Sequence, residues 1–150
     1  MDVPSLIGSK LGGYDIVRLL GRGGMGAVYE GHNPRINRRA AIKVLLPEFV
    51  GRADVVARFL NEARAVNVVQ HPSIVSVFES GQLPNGTAYI TMEYLEGMTL
   101  SSLLSKAALP ERTALQIARQ LASVLAATHA KDIVHRDLKP DNVMLLEGEG

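Results

Sequence analysis

Four glycines within six residues, in Gly21-Arg22-Gly23-Gly24-Met25-Gly26, interrupt the first apolar runs of the chain and set what its N-terminal half can become. Glycine punctuates regular structure, so such a cluster reads as a turn between elements. The runs around it are short and strand-like: Asp15 to Leu20 before the glycines, Ala27 to Gly31 after them, and Ala40 to Leu46 further on. Between the last two, His32 to Arg39 carries the Asn, Pro and charged residues of a hairpin connection. A three-strand antiparallel meander is the predicted start of the fold.

A helix is predicted over about Asp54 to Gln70, because Val55, Phe59, Ala63 and Val66 recur at four- and three-residue steps and make one apolar stripe. His71-Pro72 closes it, since proline disfavours helical geometry in the residue before it. Two further strands are expected at Ile74 to Glu79 and Ala88 to Tyr94, joined by a turn at Gly81 to Gly86. After Glu96-Gly97 the pattern turns helical, with a short helix at Thr99 to Lys106 and a long one at Pro110 to Ala130. The expected class is α+β: a five-stranded antiparallel small lobe with one main helix at 1–96, then the beginning of a helical lobe at 97–150.

The 150 residues suit one domain, or one unit of two small lobes, and a complete domain of that size buries roughly 70% of its unfolded surface. The composition, 47% hydrophobic and 21% charged, excludes wholesale disorder. With no cysteine, disulfides, thiolate zinc sites, iron–sulfur clusters and cysteine nucleophiles are excluded, so any chemistry rests on oxygen and nitrogen groups. A net charge of +1 offers no argument for a nucleic-acid or membrane-surface partner. The N-terminus lacks a basic segment followed by an apolar run, and no stretch approaches a membrane span, so a cytoplasmic chain is expected.

Gly21, Gly23 and Gly26 spell GxGxxG, a pattern that lets backbone amides approach phosphate oxygens but that also occurs in hairpins without a ligand. A dinucleotide fold would need a helix directly after the glycines and an acidic residue about 20 positions on; a strand-like Ala27-Val28-Tyr29 and Ala41 stand there instead. A Walker loop would need a terminal Gly-Lys-Ser/Thr, which is absent. One hairpin later Lys43 sits in the apolar run Ala40-Ala41-Ile42-Lys43-Val44, either snorkelling to water or reaching phosphates under the glycines. Glu62, on the predicted helix, is either a solvated carboxylate or the partner of Lys43.

The most specific stretch is His135-Arg136-Asp137-Leu138-Lys139-Pro140-Asp141-Asn142, which precedes an apolar strand and matches HRDLxxxN, with aspartate and asparagine five residues apart. Together with the glycine pattern, the Ala-Ala-Ile-Lys run and Glu62 in that order, the chain resembles the protein kinase family from about Leu11 to Leu146. Its motifs look like those of the bacterial eukaryotic-type serine/threonine kinases. The resemblance implies a protein-kinase-like fold, ATP and Mg2+ as cofactors, and protein serine or threonine hydroxyls as substrate. It further implies that the loop Leu20, Gly21, Arg22, Gly23, Gly24, Met25 and Gly26 covers the nucleotide, that Lys43 contacts the α- and β-phosphates and that Glu62 orients Lys43. Asp137 would take or orient the hydroxyl proton, Lys139 would lie near the γ-phosphate and Asn142 would hold the metal. Val28, Ala41 and Met144 would sandwich the adenine, Met92 would stand at its inner edge, and the backbones of Glu93 and Leu95 would bond to it. His135 is implied as a scaffold residue, and Arg136 as a receiver of activation-loop phosphate.

The family's next motif, DFG, whose aspartate holds magnesium, does not follow Leu146 in the sequence given. Read as it stands, the chain is expected to be the N-terminal part of a serine/threonine kinase and not to catalyse alone. The alternative is a non-catalytic nucleotide-binding or protein-interaction module.

Overall fold

Six antiparallel strands form one sheet in the computed structural model, which describes residues 5–135 and 138–147. They are β1 (Lys10–Leu11), β2 (Tyr14–Arg22), β3 (Gly26–Asn33), β4 (Arg38–Leu45), β5 (Val77–Gln82) and β6 (Ala88–Glu93), in the spatial order β1-β2-β3-β4-β6-β5. The strand beyond the expected five is β1, which folds back on β2 through Gly12 and Gly13, both at positive φ. Two residues are too few to show an alternating pattern, so nothing in the sequence announces it.

The hairpin chemistry is local. Gly23 N–H donates to Gly26 O at 2.8 Å and closes the glycine turn between β2 and β3. In the next connection Asn33 Oδ1 accepts from Arg35 N–H at 3.0 Å, and Asn37 takes the left-handed conformation that asparagine tolerates. β5 begins three residues later than expected and runs through Gly81-Gln82, the start of the expected turn. Gly81 belongs in the strand because Tyr89 lies across it: a Cβ there would stand 3.1 Å from the tyrosine oxygen. The turn proper is Leu83 to Gly86, closed by Leu83 N–H to Thr87 O at 2.8 Å with Gly86 at φ 87°.

Each sheet face has its own core. Tyr14, Ile16, Ala27, Tyr29, Ala40, Ile42, Val44 and Tyr89 make one cluster. The other lies under α1 (Ala53–Val68), where Val55, Val56, Phe59 and Ala63 pack with Leu45, Ala88 and Ile90. The four-residue step from Val55 to Phe59 to Ala63 is the predicted apolar stripe, and Phe59, 1% exposed, is its centre.

These strands and α1 make one compact unit, built from the described residues up to Asn67 and from Val75–Tyr94; Val68–Ile74 joins a second with the residues from Leu95 onward. In that second unit His71 ties the 68–74 segment to α3 (Glu111–His129). Its Nδ1 accepts from Ser73 N–H at 3.0 Å. A ring nitrogen that accepts carries no proton, so the neutral ring bears its hydrogen on Nε2 and donates it to Ser123 Oγ at 2.9 Å. α2 (Leu100–Lys106) is capped by Thr99, whose hydroxyl accepts from Ser102 N–H at 3.0 Å. A two-stranded ribbon joins β7 (Gly97–Thr99) to β8 (Met144–Leu146). On α3 Leu115 is 63% exposed, and Ala118 and Ala122 are exposed with it. Among the described residues no helix is long and apolar enough to cross a membrane.

Because Phe59 fills the centre of the α1 cluster, Phe59→Ala is expected to lower folding stability by about 3–5 kcal/mol, the usual range for an aromatic deleted from a core. Urea unfolding followed by far-UV circular dichroism measures it.

Candidate active site

Pairing register decides which side chains share a surface, because residues directly opposite one another in antiparallel strands point to the same face. On β3 and β4, Val28 faces Lys43 and Glu30 faces Ala41; on β4 and β6, Ala41 faces Met92 and Lys43 faces Ile90. Val28, Ala41, Lys43 and Met92 therefore stand on one face, shared at one end with the helix-covered cluster that includes Ile90. Of the four, Ala41 is buried and the other three are half-buried.

Lys43 runs along this face beneath Gly26. A Cβ at Gly26 would lie 2.9 Å from Val44 O, so only glycine lets β3 pass this close to the β4 backbone, while Lys43 Cε, at 3.5 Å, would be in ordinary contact with it. At its far end Lys43 Nζ is 5.5 Å from the centroid of the Phe59 ring. Glu62, one turn further along α1, is exposed, and the structure does not bring it into an ion pair with Lys43.

The rest of the glycine loop is open. Gly21, Arg22, Gly23 and Gly24 are exposed and Met25 is half-buried. Around a Cβ at Gly21 or Gly24 nothing lies within 4 Å, and neither glycine has a positive φ, so the fold itself gives no reason for glycine there. Leu20 is displaced by a bulge between the pairs Leu19↔Tyr29 and Gly21↔Val28 and is 39% exposed.

At the other end the same face closes in a circuit of charge. Glu30, 8% exposed, accepts from Arg18 Nε with one carboxylate oxygen and from Arg39 Nε, at 3.0 Å, with the other. Arg18 Nη2 donates to the Tyr94 hydroxyl at 2.9 Å, and the Arg39 guanidinium lies 3.9 Å from the Tyr94 ring centroid. Burial alone pushes the Glu30 carboxyl up, but the bonds and charges of the two arginines outweigh it and hold it below the ordinary range. No pattern in the sequence joins these residues; the available sign was one carboxylate within the small and apolar run from Gly26 to Gly31 of β3. Next to Tyr94, Glu93 is anchored to residue 76: its N–H donates to Ser76 O at 2.9 Å and its carboxylate accepts from Ser76 N–H at 3.3 Å.

In the second unit Lys139 and Asn142 are exposed at the start and end of a 3-10 turn, with Asn142 N–H donating to Lys139 O at 2.9 Å. Leu100 N–H, at the start of α2, donates to Val143 O at 2.8 Å and fixes the end of that turn. Met144 follows, half-buried on β8 and paired with Thr99. Leu95 is half-buried before β7. Gly97 permits the ribbon, since a Cβ there would lie 2.0 Å from Leu145 O. Arg136 and Asp137 lie outside the described residues. Among the described residues no group of three His, Cys, Asp or Glu side chains could hold a metal ion.

Residues 14–149 match the protein kinase domain family. The chain is 43% identical over 145 residues to serine/threonine-protein kinase Pkn1 of Myxococcus xanthus, covering 97% of this chain and 21% of that protein. Against serine/threonine-protein kinase PrkC of Bacillus subtilis it is 38% identical over 142 residues, covering 93% and 22%. It thus spans about a fifth of the length of these relatives. In structure it is similar to the PknI kinase domain of Mycobacterium tuberculosis, with a TM-score of 0.80 at 32% identity over 95% of this chain and 58% of that one.

The Glu30 carboxyl is held lower in the folded protein than in the unfolded chain, so its contribution is complete above the ordinary glutamate value of about 4.3 and is lost as pH falls through the folded value. The stability difference between the parent and Glu30→Gln should therefore be largest near neutrality and shrink on acidification. Urea unfolding of both proteins between neutral and acid pH measures it.

Proposed function

This chain belongs to the protein kinase family, and from that premise we propose that it carries the nucleotide-binding and hydroxyl-activating residues of a serine/threonine kinase. The reaction is transfer of the γ-phosphoryl group of ATP to serine or threonine hydroxyls of protein substrates. The observation that carries this reading is the sheet face on which Val28, Ala41, Lys43 and Met92 stand together, with Gly26 closed over the lysine stem. The glycines at 21 and 24, for which the fold gives no reason, support it, because a backbone without Cβ suits close approach to phosphate. The names of the relatives support the serine/threonine class.

In this reading the motif residues bind the nucleotide. Val28 and Ala41 contact the adenine, Met92 borders its inner edge, and Leu20 with Gly21, Arg22, Gly23, Gly24, Met25 and Gly26 covers the sugar and phosphates. The carbonyl of Glu93 and the N–H of Leu95 bond to the base. Lys43 contacts the α- and β-phosphates, and Glu62 orients it once the ammonium leaves the Phe59 ring. Met144 contacts the base, Asp137 orients the substrate hydroxyl and accepts its proton, and Lys139 offsets charge at the γ-phosphate.

The family uses a divalent metal with ATP. Asn142 fits one: it is exposed at the end of its turn and offers an amide oxygen, and Mg2+ is usually held by one or two protein groups with the phosphates and water completing its shell. When bound, Mg2+ supplies positive charge that stabilises the transferring phosphoryl group.

In the protein expressed from its complete gene, Asp137→Ala and Lys43→Met should each reduce transfer of labelled γ-phosphate to a basic protein substrate by at least about a hundredfold, with unchanged far-UV circular dichroism. The label should be recovered on phosphoserine and phosphothreonine. Undiminished transfer by either variant would overturn the role given to that residue, and label on tyrosine alone would overturn the serine/threonine assignment.

A further inference from the structure

The last ladder pair of β6 is Ala40↔Glu93, so Tyr94 lies just past the end of the sheet ladder. Tyr94 is gripped there twice, through its hydroxyl by Arg18 from β2 and through its ring by Arg39 from β4. An arginine side chain is a loose grip by itself, since it has many rotamers to choose among. Here both guanidinium groups are fixed by one carboxylate from the strand between them, each taking a separate oxygen of Glu30. The circuit thus spans four neighbouring strands and converges on the residue between Glu93 and Leu95.

Stability is a poor account of this arrangement. The Glu30 carboxylate is costly to desolvate, while Arg18 and Arg39 remain about half exposed, and ion pairs open to water contribute little to stability. What the cluster supplies that apolar residues could not is direction: a carboxylate orients two planar cations, and one of them stacks on a ring while the other bonds its hydroxyl.

The geometry points to Glu30 as a positioning residue for nucleotide binding: through Arg18, Arg39 and Tyr94 it fixes the backbone of Glu93 and Leu95 that bonds the base, an inference that rests on the kinase reading above. Glu30 touches no nucleotide atom in this scheme. Its loss weakens recognition of the base and leaves the phosphate end and the transfer step as they were.

The test uses the protein expressed from its complete gene, with Glu30→Gln, Tyr94→Phe and Tyr94→Leu. Tyr94→Phe keeps the ring under Arg39 and loses only the hydroxyl bond. Glu30→Gln is expected to raise KM for ATP by about five- to tenfold while kcat stays within about twofold, the pattern of lost uniform binding. Adenosine affinity, measured by calorimetry, should fall by the same factor and tripolyphosphate affinity should not change. Tyr94→Phe should have a smaller effect than Tyr94→Leu. Because the path is serial, Glu30→Gln combined with Tyr94→Leu should be no worse than the more damaging single variant. A folded Glu30→Gln with unchanged KM and adenosine affinity, or with only a lower melting temperature and a lower kcat, overturns the inference and leaves the kinase reading standing. Additive losses in the double variant overturn it too. A parent protein that binds neither ATP nor adenosine overturns the kinase reading, and this inference with it.

Discussion

Strand alternation on β4 is the constraint on which the first unit depends. Ala40, Ile42 and Val44 point into one core, which commits Arg39, Ala41, Lys43 and Leu45 to the other face. That second face is graded along the strand. Leu45 lies under α1, Lys43 just beyond it, Ala41 is buried next along, and Arg39 is at the charged end. A one-residue slip in register would bury Lys43 and Arg39 in the apolar cluster and expose Ile42. The buried residues of the first core therefore fix the positions of the polar ones as firmly as any polar contact does.

The second unit solves a different problem, that of holding a polar turn still. Its hydrogen bonds converge on the end of the 139–142 segment: Asn142 N–H to Lys139 O within the turn, Leu100 N–H to Val143 O after it, and Glu147 N–H to Glu96 O at the far end of the ribbon. The first N–H groups of a helix need acceptors, and Val143 serves one of them while Thr99 caps another. α2 is thus anchored by the very backbone it steadies. Gly97 is the condition for this, because only a residue without Cβ lets β7 lie against Leu145.

How much of this was legible in the sequence varies with the range of the interaction concerned. Local signals worked well: the glycine turn, the Asn-Pro hairpin, the Val55-Phe59-Ala63 stripe and the helix after Pro110 are all where their residues place them. Where a tertiary contact decided, the reading went astray. β5 extends into Gly81 because Tyr89 needs the space, and β1 and β7 are two- and three-residue strands that exist only through their partners. At the candidate site the motif residues could be named but not their company. For Lys43 the sequence leaves water, phosphates and Glu62 open, and in the structure its ammonium lies near the Phe59 ring. The Arg18–Glu30–Arg39–Tyr94 circuit joins residues up to 76 positions apart, and no pattern along the chain links them before the register is known.

The position of Lys43 is set by a narrow balance. An ammonium near an aromatic face at a site reached by water gains about 0.5–1 kcal/mol, and an exposed lysine–glutamate pair is worth about 0–1 kcal/mol. Phe59 is held by the core and cannot follow the ammonium, whereas the lysine stem beneath Gly26 is flexible and Glu62 is exposed. With the two partners so close in free energy, neither dictates where the charge sits, and a third partner decides if it offers more than either. A ligand moves such an equilibrium only by its difference in affinity for the two states, and here the difference it must supply is small.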